Sequence, residues 1–116
     1  MVVTSGSATL LAQLRRGTLE YCVLALLRDQ ELYGFELVRR LELAEGLLTS
    51  EGTIYPLLAR LRRERWVDTR WQESPSGPPR KYYRLTAAGS EALRHFIAEW
   101  ENFTTGVNGI LERGAQ

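Results

Sequence analysis

The segment EGTIYPLLARLRR, residues 51–63, carries the pattern that decides the fold. Its apolar side chains fall three or four residues apart and predict one buried helix face, formed by Ile54, Leu57, Leu58 and Leu61. The positions between them predict an exposed face that is polar and basic, with Thr53, Tyr55, Ala59, Arg60 and Arg63. The sequence therefore predicts an amphipathic helix that packs on other elements and presents a basic surface.

Two positions are possible for the start of this helix. Thr49-Ser50 before Glu51 is typical of a helix N-cap. Pro56, however, is tolerated in a first turn and is costly further inside a helix, which favours a start closer to Thr53. The sequence alone leaves the boundary open by one turn.

Two more helices are predicted upstream of this segment. Apolar residues at helical spacing extend from about Ala8 to Arg28, and Gly17 is a weak point or a close-contact site within that helix. A second helix is predicted to end near Gly46. One face of it is apolar, with Gly34, Leu37, Val38 and Leu41.

The pattern changes period downstream. Residues 66–72 alternate between apolar and polar side chains, which predicts a strand. Residues 74–79 (SPSGPP) predict a loop, and residues 80–85 predict a returning strand with Tyr83 and Leu85 on one face. Thr86 is a plausible N-cap for a last helix that continues to about residue 112.

The last helix carries a seam of apolar residues at alternating spacings of three and four, close to three heptads. Its members are Leu93, Phe96, Trp100, Phe103, Val107 and Ile110. An apolar seam on a terminal helix needs a surface to pack on, and a second copy of the chain is an economical partner. The alternative is that the seam folds back on its own domain.

Together these elements predict a mainly α, α+β chain: a winged helix-turn-helix domain over residues 8–86, and a C-terminal dimerisation helix over residues 87–112. The third helix of such a domain fits the major groove of DNA, and the hairpin forms the wing.

Four sequence blocks resemble the PadR family of bacterial transcriptional regulators, in its short form with a single C-terminal helix. They are Gly17-Thr18-Leu19, YGFEL at 33–37, GTIYPLLARL at 52–61 and RKYYRLTAAG at 80–89. The resemblance implies a homodimeric, sequence-specific DNA-binding regulator that acts as a repressor on a palindromic operator. Members usually carry a glycine after the third helix, where this chain has Arg65-Trp66, so the geometry of that turn is left open.

The charge distribution favours a nucleic-acid partner near the third helix. Residues 50–84 carry a net charge of +4, whereas the whole chain carries +1. A solvated surface of mixed charge is the alternative to a DNA-binding face.

The candidate DNA-binding residues lie in the third helix, at Tyr33 and in the wing. Ser50, Glu51, Gly52, Thr53 and Tyr55 lie where the third helix would enter the groove. Arg60 and Arg63, one turn apart, are candidates for phosphate contacts. Tyr33 is a further candidate, although for both tyrosines core packing with the hydroxyl at the rim is an alternative, and Arg80 and Lys81 are candidates in the wing.

Several other classes of function have no support in the sequence. One cysteine and one histidine exclude a disulfide framework and a conventional zinc site, and no enzyme motif is present, so we expect no catalysis, metal or cofactor. Cys22 is predicted to be a structural thiol, and His95 a surface residue. No apolar run is long enough for a membrane helix and no signal peptide is visible, so we expect a cytoplasmic protein.

Two functional alternatives stay open at this point. Trp100, with Phe96 and Phe103, could wall a space between two subunits that accepts a small planar aromatic or cationic effector, or these rings could simply fill the dimer contact. The chain could also be a winged-helix module that binds a protein instead of DNA.

Overall fold

The structure is a computed structural model, and it describes residues 10–44, 47 and 51–114. Three predicted features lie outside the described residues: the helix start at Ala8, the helix end at Gly46, and the cap at Thr49-Ser50, which includes the DNA-binding candidate Ser50.

Five helices and three strands make up the described chain. In chain order they are α1 (residues 10–15), α2 (Leu19–Leu26), β1 (Leu32–Tyr33), α3 (Gly34–Glu42), α4 (Glu51–Arg63), β2 (Val67–Ser74), β3 (Gly77–Leu85) and α5 (Ala87–Gly114). The strands form one antiparallel sheet in the order β1-β3-β2. This arrangement is a winged helix-turn-helix followed by a long helix, and it confirms the predicted fold.

The core is built from the predicted helix stripes. Ile54, Leu57, Leu58 and Leu61 of α4 are all buried, as are the equivalent residues of α3. Val67 and Tyr83 close the core from the sheet side. Since burial of an aliphatic side chain contributes roughly 1.5 to 3 kcal/mol, this shared core holds α4 and the wing in fixed relative positions.

The helix α4 begins at Glu51, which places Pro56 in its second turn. Proline there lacks the N–H that would bond the carbonyl of Gly52. The buried stripe of α4 offsets that loss, so the helix continues through the proline.

The prediction of one helix from about Ala8 to Arg28 is wrong, because the chain turns between α1 and α2. Gly17 adopts a φ of +84°, in the left-handed region that glycine enters without steric cost. The Thr18 hydroxyl donates hydrogen bonds to the carbonyl oxygens of Leu14 (2.9 Å) and Arg15 (3.0 Å), which pins the turn. We call residues 16–18 the elbow.

The predicted loop over residues 74–79 is also wrong, since only Pro75 and Ser76 form the turn and β3 begins at Gly77. Gln72 pairs with Arg80 and Ser74 pairs with Gly77, with an irregularity between the two pairs. The consecutive prolines at 78–79 fall at this irregularity, where a missing N–H breaks no regular ladder pair. The wing is therefore a longer hairpin than the composition predicts.

The turn after α4 is a helix C-cap with a left-handed residue. Arg65 has a φ of +63°, its N–H donates to the carbonyl of Arg62 (3.0 Å), and the N–H of Trp66 donates to the carbonyl of Leu61 (3.0 Å). This pair of bonds defines a Schellman motif, in which glycine is the favoured residue at the left-handed position. The glycine that the PadR pattern would place here is thus replaced by an arginine in the glycine conformation.

The predicted cap at Thr86 is confirmed. The N–H of Gly89 donates to Thr86 Oγ1 (3.0 Å), and the Thr86 hydroxyl donates to the carbonyl of Arg65 (2.7 Å). One side chain therefore starts α5 and ties it to the turn that ends α4.

Candidate nucleic-acid interface

The outer side of α4 has two flanks, one toward the wing and one toward α1 and α2. The wing-side flank forms an open cleft of about 610 Å³ with β3. Its lining combines aromatic and basic side chains: Tyr55, Arg62 and Arg63 from α4, with Lys81 and Tyr83 from β3. A groove of this composition between a helix and a wing can contact a phosphate backbone.

Tyr55 is held in this cleft by a close helix approach. Its ring lies against Gly34 at the start of α3, where an added Cβ would be only 2.7 Å from Tyr55 Cε1. Tyr55 is exposed on its other side. Both sequence alternatives for this residue are therefore partly met: the ring packs at the edge of the domain, and it stays accessible.

Tyr83 lies at the base of the same cleft and stays protonated. Burial raises the pKa of its hydroxyl, with a further contribution from Tyr55, while Arg62 acts in the opposite direction. A neutral phenol retains a hydrogen to donate, so it can face an anionic partner without repulsion.

The two arginines proposed for phosphate contacts have different surroundings. Arg63 is exposed and borders the clefts on both flanks of α4. Arg60 instead forms two hydrogen bonds with the carboxylate of Glu20, at 3.3 and 3.4 Å, and lies 3.9 Å from Glu64. Its role as a phosphate contact stays a prediction, and the structure gives it a second role in joining α2 to α4.

The predicted wing residues Arg80 and Lys81 lie within β3 and belong to different faces of the hairpin. The Arg80 guanidinium stacks 4.6 Å above the Tyr33 ring, and Tyr33 meets Tyr82 edge-on at 5.5 Å. The Lys81 ammonium lies 5.8 Å from the Trp71 ring and 5.9 Å from the Tyr83 ring. Cation–π contacts of this kind keep cationic groups oriented while leaving them solvated.

Tyr33 also helps to start α3. Its backbone N–H donates to Glu36 Oε1 at 3.1 Å, which satisfies one of the N–H groups that a helix start leaves open. The structure thus brings Tyr33 and Arg80, two candidates separated by 47 positions in the sequence, into direct contact.

The remaining candidates lie at the beginning of α4. Gly52 and Thr53 are exposed, and Glu51 is placed at the first position of the helix. Their predicted DNA-binding roles rest only on their place at the start of α4 and stay predictions.

Sequence reasoning missed two residues of this candidate interface. Arg62 faces the wing cleft, although its place in the Arg62-Arg63 pair could have drawn attention to it. Trp71 is exposed on the face of the hairpin that carries Lys81, and its alternation with Val67 and Thr69 was the available signal.

The predicted seam on α5 divides in two. Leu93 is 3% exposed and belongs to the core of its own domain, and Phe96 stacks on Tyr21 with ring centroids 4.3 Å apart. Trp100 is 42% exposed, and the seam residues beyond it are exposed as well: Phe103, Val107 and Ile110. The alternative that the seam folds back therefore holds for its first two members.

Phe96, Trp100 and Phe103, proposed as a ligand site, form a continuous row of rings. The centroids of Phe96 and Trp100 lie 5.6 Å apart, and those of Trp100 and Phe103 lie 6.3 Å apart. The row begins on the domain and ends on the exposed part of α5.

The fold and this basic, aromatic surface define a class of protein: a winged helix-turn-helix transcriptional regulator. The chain belongs to the family described as "Transcriptional regulator PadR-like family", whose model matches residues 23–95. Members of this family are regulators and not enzymes, in agreement with the sequence prediction.

Solved structures of regulators agree with this assignment. The chain is 37% identical to a PadR family transcriptional regulator from Eggerthella lenta, with a TM-score of 0.84 and 97% of each chain covered. It is 39% identical to a PadR-like transcriptional regulator from Bacillus cereus, with a TM-score of 0.78, over 85% of this chain and 96% of that one.

A third structure is that of Bacillus subtilis PadR in complex with operator DNA. It is 28% identical, with a TM-score of 0.65, over 70% of this chain and 47% of that one.

Among the helices described in residues 10–44 and 51–114, none is long and apolar enough to cross a membrane.

Proposed function

We propose that this chain is a homodimeric, sequence-specific DNA-binding repressor that recognises a palindromic operator through α4 and the wing. The observation that carries the proposal is the wing-side cleft, where Arg62, Arg63 and Lys81 converge beside Tyr55. A duplex seated there would meet cations from two elements and hydroxyls from Tyr55 and Tyr83. The likeness to Bacillus subtilis PadR, solved with operator DNA, supports the same partner.

Within this proposal the residues have separate roles. Arg63, with Arg60, Arg80 and Lys81, neutralises phosphates, and such contacts raise affinity for every sequence. Gly52 and Thr53 lie at the end of α4 that enters the major groove, where Thr53 reads a base edge or a thymine methyl. The hydroxyls of Tyr33 and Tyr55 donate hydrogen bonds to the DNA phosphate backbone beside the groove.

The dimer is proposed on the exposed part of α5. Trp100, Phe103, Val107 and Ile110 form an apolar stripe that its own domain leaves open. Pairing this stripe with that of a second chain would bury it and would place two copies of α4 on one side of a two-fold axis, as a palindromic operator requires.

A small planar aromatic effector is proposed to act at the row Phe96, Trp100 and Phe103. Stacking between rings would hold such a ligand at the dimer contact. It would release DNA only to the extent that it prefers a different spacing of the two α4 helices.

Salt dependence of operator binding tests the DNA-binding proposal. Operator fragments are first selected from genomic DNA by the purified protein, and affinity is then measured by fluorescence anisotropy across a salt series. Arg63→Ala should weaken binding to all sequences and reduce the salt slope by about one unit. Thr53→Ala is the matched control on the same helix, and it should change preference at one or two base pairs while the slope is kept.

Other results would exclude this function. Affinity that does not fall with salt, or no enrichment of any inverted repeat, would favour the alternative of a winged helix that binds a protein partner.

For the effector, planar aromatic dyes are titrated against the native chain and Trp100→Ala. Equal binding to both would remove the α5 row as the ligand site.

A further inference from the structure

A second cleft lies on the other flank of α4, between that helix and the elbow. It has a volume of about 600 Å³, within the range of small-molecule sites. Its floor is apolar and includes Ala12 from α1, Leu19 from α2, and Pro56 and Leu57 from α4. We call it the elbow cleft.

The rim of the elbow cleft is strongly cationic. Four arginines and one carboxylate line it: Arg15, Arg16, Arg60 and Arg63, with Glu20. The lining therefore carries a net charge of +3 around an apolar floor. A purely apolar or cationic molecule would not match this rim.

We propose that the elbow cleft binds a small organic anion, a molecule with an apolar body and one carboxylate, sulfonate or phosphate group. The body would lie on Leu57 and Pro56, and the anionic group would face Arg16 and Arg63. Charge complementarity and the apolar floor together select this class over inorganic anions, which could use only the rim.

The walls of the cleft are held in place without a ligand. The left-handed Gly17 turns α1 away from α2, and the Thr18 hydroxyl bonds to the last carbonyls of α1. On the opposite side the two-pronged pair between Glu20 and Arg60 joins α2 to α4. A preformed site binds a ligand without the entropic cost of ordering its walls.

The position of the cleft gives the ligand a direct route to regulation, and this step rests on the proposed function. Thr53 and Arg63 line the elbow cleft and are also proposed to contact DNA. An anion bound there would compete with the phosphate backbone for the same side chains. Release of DNA would then need no change in the spacing between subunits, in contrast to a ligand on the α5 row.

The test uses two dyes that differ in charge: 8-anilinonaphthalene-1-sulfonate and its uncharged analogue N-phenyl-1-naphthylamine. Binding is followed by dye fluorescence with the full chain and no DNA. Ala12→Trp fills the cleft and should weaken both dyes at least about tenfold. Arg16→Glu reverses one charge at the rim, and it should weaken the sulfonate about fivefold while changing the uncharged dye less than twofold.

The control variant is Arg39→Glu, which reverses a charge on the exposed side of α3 away from the elbow cleft and should keep sulfonate binding. Cooperative thermal unfolding of each variant verifies that the fold is retained. Ala12→Trp acts by filling the cleft and Arg16→Glu by reversing a charge, so the test does not depend on one variant alone. The site would be overturned if Ala12→Trp and Arg16→Glu both bound the sulfonate dye as tightly as the native chain does. Loss of binding in Trp100→Ala alone would do the same, because it would place the dye on α5.

Two competition measurements separate the site from its regulatory role. Sodium sulfate at matched ionic strength should not displace the sulfonate dye, and displacement would overturn the organic-anion class in favour of a simple anion site. Operator DNA should displace the dye. Dye that stays bound alongside DNA would disprove competition at α4 while leaving both the ligand site and DNA binding established.

Discussion

The two halves of α5 have the same spacing of apolar residues and opposite surroundings. Over residues 87–96 the helix lies on its own domain, with Leu93 in the core and Phe96 stacked on Tyr21. Over residues 100–111 the same stripe is exposed, and Phe103 and Ile110 are 63% and 68% accessible. A heptad pattern therefore identifies the apolar face of a helix, while the neighbouring elements decide how much of that face the domain itself covers.

The contrast arises from the position of the first half above α2. Tyr21 projects from α2 and meets Phe96 with nearly parallel rings, at 4° between planes. Among the described residues, no aromatic side chain of α2 or another element lies in the same way beneath residues 100–111. A contiguous exposed apolar stripe on a small protein is typical of an interaction surface, which is why we propose the second half as the dimer contact.

The largest effect is expected from charge placed in the second half. Val107→Asp combined with Ile110→Asp would bury unpaired carboxylates in the proposed dimer contact, at a cost of several kcal/mol per dimer. We expect a monomer in light scattering and loss of operator affinity on the order of a hundredfold or more. The variant should still unfold cooperatively, because neither residue is in the core. It should do so at a lower temperature than the native dimer, because the stabilisation by the second copy is lost. A double variant that remains dimeric would contradict the division of α5 into two halves.

The next largest effect is expected on the free energy of unfolding when Gly89 of α5 is replaced by alanine. An alanine Cβ at Gly89 would overlap the carbonyl oxygen of Trp66 and lie 2.7 Å from Leu85 Cδ1. Gly89→Ala should therefore destabilise the fold by about 3 kcal/mol in denaturant unfolding, because backbone must move.

Gly106→Ala is the matched control in the second half. Apart from the adjoining backbone of α5 itself, no atom of the described residues lies within 4 Å of an added Cβ there, so the substitution should instead stabilise the helix by about 1 kcal/mol. Equal effects at the two glycines would mean that the first half of α5 does not dock as closely as described.

A smaller gain is expected at the turn that supports the first half. Arg65 occupies a left-handed conformation, with φ +63°, and its carbonyl accepts the hydrogen bond from the Thr86 hydroxyl. Arg65→Gly should raise the free energy of unfolding by about 1 kcal/mol. Arg65→Ala removes the same side chain and keeps the strain, so it should show no such gain. A gain of equal size in Arg65→Ala would attribute the effect to charge and not to backbone conformation.

The smallest effect concerns the pH dependence of the stack under Phe96. The pKa of Tyr21 is raised mainly by burial, with smaller contributions from Glu20 and Glu64. A raised pKa means that the folded state holds the proton more tightly than the unfolded state. Its stabilising effect is complete below the ordinary pKa of tyrosine and is lost as pH rises through the raised value.

Urea unfolding across the alkaline range should therefore show a loss of stability that is reduced in Tyr21→Phe. This variant keeps the ring stack and removes the ionising group. An alkaline loss of stability in Tyr21→Phe as large as in the native chain would place the responsible group elsewhere.

Cys22 provides a parallel measure, since burial raises the pKa of its thiol. Alkylation of Cys22 should be slower in the native chain than in the unfolded chain.

Much of the fold could be predicted from the sequence because its signals are local. The buried stripes of α3 and α4, the alternation of Tyr83 and Leu85, and the cap at Thr86 each follow from residues within one or two turns of each other. Periodicity and capping depend on backbone geometry that is the same in every protein. For this reason the winged helix-turn-helix could be predicted without a structure.

The candidate interface was predictable in outline only. The basic outer face of α4 follows from its helical spacing, whereas the contact of Arg80 with Tyr33 depends on the pairing of β1 with β3. The strand β1 has two residues, too few for any alternating pattern. Arg62 was missed because only the wing, placed by the sheet, gives that flank of α4 a partner.

The tertiary structure alone decided the features that depend on distant residues. Glu20 pairs with Arg60 across 40 positions, and Trp66 sets the space available at Gly89. The elbow at Gly17 and the proline-containing start of β3 likewise depend on where the chain must travel to meet its neighbours. Local pattern specifies which residues are buried and which elements form. Contacts between elements fix which charges are paired, which clefts are left between them, and which half of α5 the domain leaves exposed, because those contacts exist only when the whole domain is assembled.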